Sequence, residues 1–192
     1  MSSPVSQFPG AGDEEAGVRQ GEFQAAPVSH FWLDRLVEID STWNPRSWSK
    51  RLFLKELEEP CATVRGLFAG EDLIGYLIAH VVLDEAFIVS LGLLPEWRGR
   101  GGGSFLLGDF IRHVGLQGVR SVTLDVRVSN IPARVLYEQT GFRAVGVRRS
   151  YYSDNQEDAI TMRLDLGLSP AQGDSGDALA RVRHDTGGRG DV

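Results

Sequence analysis

The stretch that decides the fold reads Leu94-Pro-Glu-Trp-Arg98-Gly99-Arg100-Gly101-Gly102-Gly103-Ser104. It follows an apolar segment and precedes a segment with apolar residues at helical spacing. Glycines lack the Cβ atoms that keep a ligand away from the backbone, and the first amides of a helix are donors at the positive end of its dipole. The arginines add charged donors. The stretch predicts a pyrophosphate-binding turn between a strand and a helix, and a plain connector is the alternative.

Two other phosphate-binding motifs fit this stretch poorly. A nucleotide-hydrolysing P-loop needs a lysine before its final Ser or Thr, and here Ser104 follows a glycine. A dinucleotide fingerprint needs glycines in the spacing G-x-G-x-x-G. That frame places Ser104 at the last position when it starts from Gly99, and Leu106 when it starts from Gly101. An NTPase and a nicotinamide-dependent oxidoreductase are therefore disfavoured.

Periodicity on both sides of the stretch predicts the order β-β-β-α-β-α-β-β behind two N-terminal helices. Alternating or apolar runs predict strands at residues 62–69, 73–82, 85–94, 122–128, 142–147 and 159–166. The first two helices are expected behind Ser29 and Ser47, a third begins near Gly101, and a fourth lies between Asn130 and Gly141. This order predicts a mixed α/β sheet with a parallel crossover in its centre.

Composition indicates the boundaries of the domain and disfavours several classes of protein. We expect tails at residues 1–26 and 167–192, which carry few large apolar groups, around one domain at residues 27–166. A net charge of -6 disfavours a dedicated nucleic-acid binder. Four scattered histidines and the single cysteine, Cys61, predict no metal site and no disulfide. The chain has no apolar run long enough for a membrane span and no signal-peptide pattern, so we expect a cytoplasmic protein that binds no membrane.

The frame Arg-x-x-Gly-x-Gly at residues 98–103 resembles the acetyl-CoA motif of the GNAT superfamily, Q/R-x-x-G-x-G/A. Further segments, in order, resemble the bacterial ribosomal-protein-alanine N-acetyltransferases, and the resemblance spans roughly residues 25–166. These segments are Trp48-Ser49, Val81-Val-Leu-Asp-Glu-Ala86, Thr123-Leu-Asp-Val-Arg-Val-Ser-Asn130, Leu136-Tyr-Glu-Gln-Thr-Gly-Phe142, Arg148-Arg-Ser-Tyr-Tyr152 and Glu157-Asp-Ala-Ile160.

The resemblance implies a single GNAT-type domain whose mostly antiparallel sheet contains a splayed central parallel strand pair. It also implies acetyl-CoA as co-substrate, direct attack by an amine, and the N-terminal alanine of a ribosomal protein as acceptor. A monomer or weak dimer is expected. The implied coenzyme-binding residues are Leu91, Gly92, Leu93, Arg98, Gly99, Arg100, Gly101, Gly102, Gly103, Ser104 and Asn130.

Two catalytic residues follow from the same resemblance. Asp125 stands where the family has a glutamate general base, and because aspartate is shorter it must act through water or draw the substrate closer. An ion pair with Arg127 is the alternative for Asp125, and Glu85 is a substitute base. Tyr137 matches the tyrosine that protonates the coenzyme A thiolate, or it is an ordinary core residue.

Other positions also have two interpretations. Gly92 predicts a bulge that splays its strand, or it relieves crowding. Asn130 serves as a helix cap, as a coenzyme contact, or as both. Tyr151 and Tyr152, next to two arginines, line an acceptor-peptide cleft or form a solvated hairpin tip. Cys61 has no neighbouring base, which disfavours a covalent acyl-enzyme.

The acceptor itself remains open at this stage. A lysine side chain or a small-molecule amine suits the same fold. A non-catalytic acyl-CoA-binding module is a third hypothesis, since the family glutamate is replaced.

Overall fold

The computed structural model of the protein describes residues 23–44 and 46–167. Within these residues, seven strands and four α-helices alternate with two short 3-10 turns. The strands are β1 Phe23–Pro27, β2 Ala62–Ala69, β3 Asp72–Val82, β4 Glu85–Leu93, β5 Ser121–Arg127, β6 Arg143–Tyr152 and β7 Glu157–Asp165; the helices are α1 Leu33–Ser41, α2 Lys50–Glu58, α3 Gly102–Leu116 and α4 Ile131–Thr140.

All seven strands form one sheet in the order β1-β2-β3-β4-β5-β7-β6. Every neighbouring pair is antiparallel except β4 and β5, which run parallel. A parallel pair needs a crossover, and α3 supplies it. The predicted mixed sheet with a central parallel pair is confirmed.

Helices cover both faces of the sheet. On one face, Phe53 of α2 packs edge-on against the ring of Tyr76 in β3, at 5.5 Å between centroids. On the other face, α3 begins against Leu67 and Leu93. Helices α1, α2 and α3 each bury apolar side chains completely, and burial of such side chains stabilises a fold by roughly 1.5–3 kcal/mol each. The fully buried residues of these helices include Leu36, Ile39, Phe53, Leu106, Leu107, Phe110 and Val114.

The N-terminal boundary of the domain lies earlier than predicted. β1 begins at Phe23 and pairs with β2 from Phe23 opposite Ala69 to Pro27 opposite Arg65, so the predicted tail at residues 1–26 extends too far. The segment was missed because five residues with two alanines and a proline show little alternation, and only pairing with the edge of β2 makes them a strand. The rest of that tail and residues 168–192 lie outside the described residues.

Both predicted N-terminal caps are wrong. Ser29 precedes a 3-10 turn, without a side-chain capping bond, and α1 begins only after Trp32. Ser49, not Ser47, caps α2, where its hydroxyl accepts a hydrogen bond from the Leu52 amide at 3.3 Å. The cap of α4 is confirmed: Asn130 accepts from the Ala133 amide at 3.2 Å, and Gly141 ends the helix at φ 101°.

Candidate functional site

A cleft opens where the parallel strands β4 and β5 separate. Their pairing ends at Ile88 opposite Leu124. At this point β4 contains a bulge, because Ile78 of β3 faces Ser90 whereas the next residue, Ala79, faces Ile88. Val89 is therefore the extra residue, and the predicted bulge at Gly92 is wrong in position.

Gly92 instead allows a close approach of side chains. A Cβ atom at this position would collide with Trp43 Nε1 and would lie 3.0 Å from Tyr76 Cε1. The alternative interpretation, a glycine that relieves crowding, is the one the structure supports.

The cleft has a volume of about 1170 Å³ and runs from the start of α3 to the β6–β7 hairpin. Most of the predicted site residues line it. These are Leu91, Gly92, Leu93, Arg98, Gly99, Gly101, Gly103, Ser104, Asp125, Asn130 and Tyr137. Arg100 and Gly102 lie outside its lining.

The glycine-rich turn leaves the amide end of α3 open to the cleft. Gly99 and Gly101 adopt positive φ angles of 73° and 83°, which residues with a Cβ rarely adopt, and nothing lies within 4 Å of a Cβ built at either position. The first helical amides, from Gly102 onward, have no partner within the helix. Gly102 has a packing role, because a Cβ atom built at this position would lie 2.9 Å from Leu67 Cδ2. The turn thus presents backbone donors without side chains, as a diphosphate requires.

The two arginines of the turn contact other groups of the chain. The Arg98 guanidinium donates from Nε and Nη2 to the Leu93 carbonyl, at 3.1 and 3.0 Å, and from Nη2 to Thr42 Oγ1 at 3.1 Å. Arg100 lies over the ring of Trp97, 5.3 Å from its centroid. Arg98 therefore ties the end of β4 to the end of α1, which leaves the backbone amides of the turn as the donors open to the cleft.

Asp125 lies in β5 with its side chain only 4% exposed. Its carboxylate accepts from Arg148 Nη1 at 2.7 Å and from Thr161 Oγ1 at 2.6 Å. The expected alternative partner, Arg127, binds other groups: it donates to Asp154 at 2.8 Å and Glu157 at 3.2 Å. Asp125 therefore forms an ion pair, but its partner is Arg148, 23 residues further along the chain, and not Arg127.

Glu85, the predicted substitute base, lies at the closed end of β4. Its side chain is 66% exposed and lies 3.6 Å from Arg163. It is absent from the lining of the cleft. This leaves Asp125 and Asp154 as the carboxylates that line the cleft within the described residues.

Tyr137 is both a core residue and a cleft residue. It is 7% exposed, and its ring packs at 5.7 Å from that of Phe142. Burial, followed by the influence of Tyr152, raises the pKa of Tyr137 above its ordinary value. The phenol consequently holds its proton at neutral pH and can donate it only to a group of high proton affinity.

Comparison with known proteins agrees with this geometry. The model of the acetyltransferase (GNAT) family matches residues 29–142. The chain belongs to this family. It is 36% identical over 133 residues to the [ribosomal protein bS18]-alanine N-acetyltransferase of Haemophilus influenzae, covering 68% of this chain and 90% of that protein. The Escherichia coli protein of that name is 34% identical over 138 residues, covering 71% and 93%.

Solved structures share the same fold. The ribosomal-protein-S18-alanine N-acetyltransferase from Escherichia coli superimposes with a TM-score of 0.72 at 28% identity, covering 78% of this chain and 97% of that one. A PaiA N-acetyltransferase from Thermoplasma acidophilum, in complex with coenzyme A, gives a TM-score of 0.64 at 19% identity, covering 75% and 99%. The chain is thus a GNAT N-acetyltransferase, and its co-substrate is acetyl-CoA.

The end of the cleft opposite the glycine turn is built by two segments far apart in sequence. The loop between α1 and α2 contributes Trp43, Asn44 and Arg46, and the β6–β7 hairpin contributes Tyr151 and Tyr152. They meet across the cleft where Arg46 Nη1 donates to Ser153 Oγ at 2.7 Å. The sequence did not predict that the α1–α2 loop lines the cleft. The signal that could have indicated it is the pair Trp43 and Trp48 on either side of its Asn-Pro sequence.

The tyrosines of the hairpin are held by arginines. The guanidinium of Arg127 lies 3.7 Å from the ring centroid of Tyr152, and that of Arg148 lies 4.1 Å from Tyr151. Burial raises the pKa of Tyr152 to about 12, although the charge of Arg127 opposes this. Both tyrosines line the cleft, so they form part of its wall.

No helix among the described residues is long and apolar enough to cross a membrane. No group of three or more His, Cys, Asp or Glu side chains in residues 23–44 and 46–167 is arranged to hold a metal ion.

Proposed function

We propose that this acetyltransferase transfers the acetyl group of acetyl-CoA to the N-terminal alanine amine of a ribosomal protein, by direct attack. The observation that carries the proposal is the continuity of one cleft. It joins the amide end of α3 to Asp125 and Tyr137, and these to the wall formed by the α1–α2 loop and the β6–β7 hairpin. The names of the relatives at 34–36% identity support alanine as the acceptor residue.

The diphosphate would bind at the amides that begin α3, where Gly101 and Gly103 leave room for it. Acetyl-CoA supplies the thioester. Beyond Ile88, the groups of β4 that face β5 have no strand partner, because β5 has diverged. Backbone donors there would bind the pantetheine arm and polarise the acetyl carbonyl, which would lower the barrier to attack.

Asp125 would accept the proton of the attacking amine, directly or through a water molecule. Thr161 orients its carboxylate. Arg148 holds the second oxygen, and its side chain, 54% exposed, would give way when a cationic N-terminus enters. As the C–N bond forms and the C–S bond breaks, Tyr137 would donate its proton to the leaving sulfur.

A panel of amines tests this proposal. An Ala-starting peptide is compared with the same peptide blocked at its N-terminus but carrying a lysine, and with a polyamine. We expect release of coenzyme A and one added acetyl mass on the alanine nitrogen. Rapid acetylation of the lysine or the polyamine, with the Ala peptide ignored, would refute the proposed acceptor. Acetyl-CoA binding without transfer to any amine would instead indicate a non-catalytic module.

Two expectations follow from this proposal. An enzyme that modifies a ribosomal protein would work in the cytoplasm, where ribosomes are assembled. A monomer or weak dimer stays a prediction, which light scattering on the purified protein would decide.

A further inference from the structure

A buried carboxylate lies behind the acceptor side of the cleft. Asp40, in the last turn of α1, is 0% exposed. Its carboxylate accepts from the Tyr76 hydroxyl at 2.6 Å, from the Trp48 amide at 2.7 Å and from Asn44 Nδ2 at 3.2 Å. The Asn44 amide is oriented by its own oxygen, which accepts from the Arg46 amide at 3.0 Å. Each of these partners of Asp40 is therefore a neutral donor.

The chain of hydrogen bonds continues from Tyr76 into the cleft. The Tyr76 oxygen lies 2.9 Å from Ser90 Oγ, and Ser90 lines the cleft. A phenol has a single proton, and Tyr76 donates its proton to Asp40. Burial, then the charge of Asp40, raises the pKa of Tyr76, so the phenol keeps that proton. Ser90 must consequently donate to Tyr76, which leaves only the lone pairs of Ser90 for a group in the cleft.

The bulge in β4 brings Ser90 to this face. Residues 78 and 79 of β3 lie on opposite faces of the sheet, so their partners, Ser90 and Ile88, do too. Leu124 shares the face of Ile88, its partner in β5, and Asp125 therefore lies on the face of Ser90. Ser90 and Asp125 thus stand on the same face, on either side of the gap between the two strands.

We propose that Ser90 binds the acceptor amine by accepting a hydrogen bond from it, and that Asp40 and Tyr76 are positioning residues that impose this direction. An amine must keep its lone pair for the acetyl carbon, so its N–H groups need acceptors. Asp125 takes one proton and Ser90 Oγ holds another N–H, which aims the nitrogen. This inference rests on the proposed acetyl transfer and extends to any primary amine in the cleft.

Asp40→Asn tests the direction of the hydrogen bonds that link Ser90, Tyr76 and Asp40. The Trp48 amide is a fixed donor, so the new side chain must turn its oxygen toward Trp48 and its NH₂ toward Tyr76. The Tyr76 oxygen would then accept a hydrogen bond from residue 40, and the Tyr76 hydroxyl would donate its own to Ser90 Oγ. The Ser90 hydroxyl would consequently direct its proton into the cleft. We expect kcat/KM for the Ala peptide to fall roughly tenfold, as for one lost hydrogen bond, with the KM for acetyl-CoA unchanged.

Ser90→Ala should cause a similar loss, and Asp40→Asn combined with Ser90→Ala should be no worse than either single variant. Tyr76→Phe removes the hydroxyl between Asp40 and Ser90, and it provides a second test if the Asp40→Asn variant folds poorly. Asp109→Asn is the matched control, because it disrupts another buried pair, Asp109 with Arg65 at 2.6 Å, far from the acceptor wall. It should lower the unfolding temperature without changing the KM for the peptide.

The inference is overturned if Ser90→Ala leaves kcat/KM for the peptide unchanged, or if the losses from Asp40→Asn and Ser90→Ala multiply in the double variant. Failure of the proposed acceptor looks different, because the native chain itself would then ignore the Ala peptide. The same variants would in that case be compared with whichever amine the native chain acetylates.

Discussion

The open glycine at the start of α3 offers a quantitative test of the phosphate cradle. Gly101 has φ 83°, and no heavy atom lies within 4 Å of a Cβ built there. Gly101→Ala therefore introduces backbone strain and no collision. The left-handed conformation costs about 1–2 kcal/mol for alanine, and the smaller entropy of the unfolded chain offsets part of it. We expect a net loss of about 1 kcal/mol in the free energy of unfolding, or roughly 3 °C.

Gly118 provides a matched control at the other end of the same helix. It has φ 90° and also has nothing within 4 Å of a built Cβ, but it lies outside the cleft. Gly118→Ala should reproduce the loss of stability. Only Gly101→Ala should also weaken acetyl-CoA binding, because a shifted turn misaligns amides that bind a charged group, each worth roughly 1.5–3 kcal/mol. That range corresponds to a roughly tenfold or greater rise in Kd.

Calorimetric titration with acetyl-CoA and thermal unfolding, run on both variants, separate the two effects. Equal Kd values for Gly101→Ala, Gly118→Ala and the native chain would show that the turn does not hold the diphosphate. The assignments of the acid and the base, which depend on where the thioester lies, would then lose their support.

Three further predictions concern single side chains. Tyr137→Phe should lower kcat severalfold or more and leave the KM for acetyl-CoA nearly unchanged, and an unaltered kcat would exclude this phenol as the acid. Asp125→Asn keeps the shape that Thr161 contacts but removes the proposed base, so the pH–rate profile should flatten; an unchanged profile would place the base elsewhere. Glu157 accepts from the Ser129 amide at 2.7 Å, and hydrogen bonds from Ser129 lower its pKa to about 2. Because this folded-state pKa lies below the unfolded value of about 4.5, its stabilisation is complete above pH 4.5 and is lost as the pH falls toward 2. Glu157→Gln should therefore be less stable than the native chain at pH 7 and equally stable near pH 2 in urea titrations, whereas a constant difference would contradict the linkage.

Much of the fold could be predicted because its signals are local. The alternation in β5 and the apolar stripe of α3 depend on neighbouring residues, as do the Asn130 cap and the Gly141 end of α4. The predicted range of β2 agrees with the structure at both ends. β1 could not be found this way, since its five residues become a strand only by pairing with the edge of β2. The end of β6 was also missed, and the strand runs to Tyr152 because β7 pairs with it.

In the candidate site too, some features could be predicted from local sequence and others could not. The glycine turn was predicted from its own residues, whereas Asp125 and Tyr137 were predicted because the short segments that contain them resemble the family's. The partners of these residues are distant in sequence, and no local pattern contains them. Arg148 reaches Asp125 across 23 positions, and Arg98 reaches Thr42 across 56.

The sequence by itself determined the order of the elements and the glycine-rich turn before α3, since backbone conformation and periodicity are properties of adjacent residues. The class of enzyme followed from the resemblance of several short segments to a known family. Tertiary structure alone decided where β4 bulges and which carboxylates reach the cleft. It also decided the direction of the hydrogen bonds that run from Asp40 to Ser90. These features depend on strand register and on packing across the sheet, which bring together residues distant in sequence, such as Asp40 and Ser90, 50 positions apart.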